Sequence, residues 1–159
     1  KPMDVDMLKL MLQQRKVGVL EILEVRHALE IQAAALAARR AKPEEIDAIE
    51  GALSRLETSA SLKDTLAADL DFHFAIARAA HNNVLTLIYQ TIRPLFEEAV
   101  LSALKRDKEP ELRMRFHREI LAAIRSGRAA EAAEAMRRHL QGTLGALGGK
   151  PKQPATSNE

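Results

Sequence analysis

The 159-residue sequence contains no cysteine, which excludes a disulfide framework and any thiolate metal site. Aromatic residues make up only 3% of it, too few for the sheet-rich folds that favour aromatic and β-branched side chains. No apolar run approaches the roughly 20 residues needed to span a bilayer. The opening residues KPMDVDMLKLMLQQRK lack the pattern of a signal peptide, because acids interrupt their apolar part. Charge of one sign is not in excess either: 24 Lys and Arg against 22 Asp and Glu leave a net charge of +2. The two signs interleave, unlike the basic footprint of a nucleic-acid binder. With no targeting or membrane signal, the expected compartment is the cytoplasm.

What the sequence has is helical periodicity. Hydrophobic residues reach 47%, with alanine and leucine prominent, and they recur at helical spacing. Helices are expected over roughly 19–41, 43–58, 62–81, 84–105, 110–127 and 129–146. Leu20, Leu23, Ala28, Ile31, Ala34 and Ala35 are expected to form the buried stripe of the first of these. Pro43 suits a first helical turn, with Glu44 and Glu45 near the positive end of the helix. Asn82-Asn83 and Gly127 are breaks, and Pro94 predicts a kink near Thr91-Ile92. Before Val17, the apolar residues Met7, Leu8, Leu10, Met11 and Leu12 suit a short leading helix. The fold class read from this pattern is all-α: an antiparallel bundle of about six or seven helices with short connections. The residues divide into a leading helix or linker over 1–17, a bundle domain over 18–147 and a polar, flexible tail over 148–159.

One stretch carries chemistry. Asp69-Leu-Asp-Phe-His73-Phe-Ala-Ile-Ala-Arg-Ala-Ala-His81-Asn82 is mostly apolar yet holds two carboxylates and two imidazoles. Asp69 and His73 are one turn apart on one face, which Ile76 and Ala80 continue toward the core. Asp71 points the other way and reads as solvated. The stretch RMRFHREILAAI places His117 on a stripe with Ile120, Leu121 and Ile124, and AAEAMRRHLQG places His139 near Met136. Three imidazoles and a carboxylate from three helices make a candidate site for a borderline divalent ion, Zn²⁺ first, with Ni²⁺, Mn²⁺ or Fe²⁺ as alternatives. The plain structural reading is that each histidine is a satisfied core or boundary residue. Buried aspartate, however, needs a partner. His27 reads as a boundary residue, and His81 as a partner of a helix C-terminus.

The segments LEVRHALEIQAAALAA, DLDFHFAIARAAHN and FHREILAAIRSGRAAEAAEAMRRHL, in this order, resemble the FCD domain, the C-terminal effector domain of FadR-subfamily GntR transcription regulators. The resemblance covers roughly 19–147. It implies a helical bundle that binds a small effector and helps to form a homodimer. In metal-binding members the Asp and His of a D-x-x-x-H motif join two later histidines; here those positions fall on Asp69, His73, His117 and His139. A small carboxylate effector beside the metal would need donors. Arg26 is the first candidate, Arg93 another, and Asn82 matches the family's asparagine after the D-x-x-x-H helix. Plain alternatives are an exposed Arg26–Glu30 ion pair, a helix cap at Asn82 and a solvated Arg93. Complete regulators of this kind carry an N-terminal winged helix-turn-helix for DNA. None is visible here, so DNA contact is expected only through a domain that this chain lacks.

The function implied is sensing rather than catalysis. Competing readings are a metal-dependent enzyme acting on a small organic acid and a metal-free FCD domain binding an acyl-CoA-like ligand. A ferritin-like di-iron bundle needs Glu-x-x-His on two helices, and only Glu24-Val-Arg-His27 fits.

Overall fold

The computed structural model describes residues 5–148. It contains seven helices and, among the described residues, no strand: α1 Val5–Gln14, α2 Val19–Arg40, α3 Pro43–Glu57, α4 Leu62–Ala79, α5 Asn83–Arg106, α6 Pro110–Arg125 and α7 Ala129–Ala146. The fold is the all-α bundle that the periodicity predicts. The expected tail beyond Gly148 lies outside the described residues.

The helix starts follow capping chemistry. Backbone N–H groups in a first turn have no intrahelical partner and recruit a nearby oxygen. Ser61 Oγ accepts from the Asp64 N–H at 3.0 Å, and Asn82 Oδ1 accepts from the Leu85 N–H at 3.1 Å. Pro43 and Pro110 occupy the first turns of α3 and α6. Gly127, with φ of 69°, provides the left-handed residue that ends α6. Helix α5 continues through Pro94 as one element of 24 residues.

Helix α2 is central: α4, α5, α6 and α7 all pack on it, while α3 packs on α4 and α6. Ala33, Ala34 and Ala37 are buried on α2, and such small residues let neighbouring axes come close. Ile76, Ile120, Met136 and Leu140 fill the space between the helices; burying each such side chain contributes about 1.5–3 kcal/mol. Among the described residues, α1 touches only α5 and leaves Met7, Leu10 and Met11 exposed.

Two expectations need correction. The buried stripe of α2 is rotated: Leu20 and Ala28 are exposed, whereas Arg26 and Glu30 are buried. A helix enclosed by four others can bury polar groups that satisfy one another, and these two do. His81 lies beyond α4, with φ of 48°, and its Nε2 is 2.8 Å from Glu45 Oε2. The end of α4 is instead served by Arg40, which donates to the Ala80 carbonyl at 3.2 Å.

Candidate metal centre

Helix α4 brings Asp69 and His73 inward, α6 brings His117 and α7 brings His139. All four are buried, and one ligand atom from each lies within 4.8 Å of the others. Donors about 2.0–2.2 Å from a common centre lie at most about 4.4 Å apart, so a shift of a few tenths of an ångström would let all four meet one ion. The Nε2 atoms of His73 and His139 are 3.1 Å apart. His117 Nε2 is 3.0 Å from Asp69 Oδ1, and His73 Nε2 is 3.9 Å from Asp69 Oδ2. Phe72 closes the cluster from one side, its ring edge-on to His73 and His117.

The outer nitrogens decide the protonation of two rings. His117 Nδ1 donates to the Arg113 carbonyl at 2.8 Å; a carbonyl only accepts, so the proton sits on Nδ1. His73 Nδ1 lies 2.6 Å from Glu30 Oε2, a close charge-assisted approach, although its angle is poor for a hydrogen bond. The neutral forms of His73 and His117 therefore turn lone pairs inward. Burial lowers the pKa of His117, and for His139 burial followed by the neighbouring imidazoles lowers it well below the ordinary value. Asp69 is held well below the usual carboxylate range: burial would raise it, but contact with His117 and the charges around it prevail. Three imidazoles and an ionised carboxylate converging in the interior are a donor set that a divalent cation fits.

Behind His73 stands Glu30, which the sequence offers only as a surface partner of Arg26 in the plain alternative. Glu30 accepts from Arg26 Nε and from the Tyr89 hydroxyl, each at 2.8 Å on Oε1, and offers Oε2 to His73. Burial opposes its ionisation, but Arg26 and His73 hold its pKa at about 2. The Arg26–Glu30 pair, which the plain alternative placed on the outside of α2, is thus buried, each partner being about 1% exposed. The i,i+4 spacing in EVRHALE signals the pair, but nothing local signals its burial.

A cavity of about 630 Å³ opens on the cluster and is bordered by Arg26, Asp69 and His139. The Nη2 of Arg26 is buried without a partner among the described residues. Asn82 and Arg93 do not border this cavity. Asn82 caps α5, and Arg93 pairs with exposed Asp71 at 3.1 Å and stacks over Phe74. His27 is half-buried outside the cluster. No helix among the described residues is long and apolar enough to cross a membrane.

Comparison with known proteins agrees with this architecture. The FCD domain family matches residues 21–142. The chain is 30% identical over 146 residues to the HTH-type transcriptional regulator LutR of Bacillus subtilis (strain 168), covering 87% of this chain and 66% of that protein. It is 32% identical over 131 residues to the Uxu operon regulator of Haemophilus influenzae (strain ATCC 51907 / DSM 11121 / KW20 / Rd), covering 79% and 49% respectively. It therefore spans about half to two thirds of the length of these relatives. Among solved structures, Streptococcus agalactiae GntR superposes with a TM-score of 0.59 at 24% identity, covering 77% of this chain and 56% of that one, a likeness of fold. The chain belongs to the FCD domain family, found in GntR-family transcription regulators.

Proposed function

We propose that this domain senses a small carboxylate at a divalent metal held by Asp69, His73, His117 and His139. The observation that carries the reading is the convergence of these four buried donors, whose ligand atoms lie within 4.8 Å of one another. A bound divalent ion would supply positive charge and open coordination positions for a carboxylate oxygen. The chain's own groups do the rest. Glu30 and the Arg113 carbonyl hold two rings in the tautomer that presents Nε2. Burial keeps His117 and His139 neutral. Arg26, with one guanidinium nitrogen unpaired beside the cavity, donates to the incoming acid. Asn82 and Arg93 serve structure rather than effector binding.

In the whole protein, we propose, this domain forms a homodimer and relays its ligand state to an N-terminal winged helix-turn-helix. The regulator relatives support that role, and it involves no turnover. Coupling requires that the acid bind one helix arrangement more tightly than another. The experiment is to strip metal with a chelator, reload with zinc, and compare melting temperature and the binding of lactate, pyruvate and glycolate. Metal-loaded protein should melt higher and bind at least one acid that stripped protein does not. Equal stability and equal affinity in the two forms would refute the reading.

A further inference from the structure

Two glycines on α7 have no reason within the protein itself. Gly142 and Gly145 border the same cavity as Arg26, Asp69 and His139. Neither has a positive φ; Gly142 lies inside the helix and Gly145 in its last turn, and both are exposed. A Cβ built on either would meet no atom within 4 Å. Neither backbone conformation nor close packing therefore calls for glycine. In a helix interior glycine destabilises relative to alanine, because it gives up the most backbone freedom on folding. Gly127 is the contrast, since its φ of 69° requires the freedom that it has.

Their position supplies the reason. They lie three and six residues beyond His139, about 4.5 and about 9 Å along the axis at the helical rise. Side chains on a helix lean back toward its N-terminus, so a side chain at 142 would lean over the turn that carries His139. Leu112 and Phe116 of α6 also border the cavity and offer it an apolar wall. A second, independent feature points to a ligand: Arg26 borders this same space, is 1% exposed and has its Nη2 buried without a partner among the described residues. An anionic group satisfying it would leave the remainder of its molecule to lie along α7.

We infer that Gly142 and Gly145 are size-determining residues of the cavity: they leave room for the body of an organic acid longer than three carbons, whose carboxylate end lies at Arg26 and the Asp/His cluster. This rests on the acid-sensing reading above and adds the size of the acid to it.

The test uses zinc-loaded protein titrated calorimetrically with glycolate, a two-carbon acid, and 2-hydroxyhexanoate, a six-carbon one. The unsubstituted protein should bind the longer acid about tenfold more tightly or better, the scale of one or two methylenes in an apolar pocket. The double variant Gly142→Ala/Gly145→Ala and the bulkier Gly142→Leu should melt no lower and bind zinc equally well. They should hold glycolate within about threefold and lose about tenfold or more on 2-hydroxyhexanoate. If the unsubstituted protein binds both acids equally, or folded variants keep the longer acid or lose both acids alike, the inference is overturned while acid sensing stands. If the unsubstituted, zinc-loaded protein binds neither acid, the acid-sensing reading fails and this inference fails with it.

Discussion

His73 and His139, from α4 and α7, bring their Nε2 atoms to 3.1 Å in the interior, while the other nitrogen of His73 lies 2.6 Å from Glu30. A proton held on that outer nitrogen leaves His73 an inward lone pair, which a cation between the rings would accept. Replacing His139 by Ala removes one of four donors. Zinc affinity should fall by more than the about 10–100-fold that loss of an outer partner costs, measured by competition with a chromophoric chelator. Unchanged affinity would remove His139 from the site.

Glu30 should matter for stability and for metal separately. Glu30→Ala leaves the Arg26 guanidinium buried without its partner, at a cost of about 3–5 kcal/mol, read by urea denaturation of metal-free protein. The double variant Arg26→Met/Glu30→Leu should recover most of that stability, since well-packed apolar groups often replace a buried pair without loss. It should still bind zinc about 10–100-fold more weakly, because His73 loses its orienting carboxylate. A double variant with normal zinc affinity would show that Glu30 is structural only.

Stability of the metal-free protein should decline with acid. The pKa of Glu30 is depressed from its ordinary 4.5 to about 2 in the fold. Its contribution is therefore complete above pH 4.5 and is lost as pH falls toward about 2, since the unfolded chain takes up the proton first. His117 and His139 are also depressed, from 6.5, so the unfolded chain gains protons ahead of the fold below about pH 6.5 as well. Unfolding free energies at pH 7, 5.5, 4 and 3 should fall in that order. Stability that is flat or rising from pH 6.5 to 4 would contradict these assignments.

Asn82 and Arg93 should separate from the site by experiment. Asn82→Ala removes the cap of α5 and should cost about 0.5–2 kcal/mol. Arg93→Ala breaks a partly exposed pair with Asp71 and should cost under about 1 kcal/mol. Neither should alter zinc or acid binding; a selective loss of acid affinity in either would return that residue to the effector site.

Much of this architecture was legible in the sequence. Pro43, Asn82 and Gly127 carry the local chemistry of helix starts and stops, so the bounds of the helices after Val19 fall within about two residues of expectation. Inward faces at Asp69, His73, His117 and His139 followed from spacing against Ile76, Ile120 and Met136. The face of α2 did not follow. In EVRHALE the period offers Arg26 and Glu30 to solvent as readily as to the core. Only the packing of α4 and α5, which brings His73 and Tyr89 to Glu30, makes burial of the pair affordable. That information is tertiary and has no local signature. The cavity is hidden for the same reason: it is bordered by the α5–α6 corner and the end of α7, which are far apart in the chain.

Anomalous scattering from crystals of protein purified without chelator addresses the metal itself. Diffraction recorded on either side of the zinc absorption edge, and of the other transition-metal edges in turn, should give a single peak bounded by Asp69, His73, His117 and His139. Well-ordered density for those four side chains with no anomalous peak between them, in metal-replete crystals, would contradict the sensing mechanism at its root.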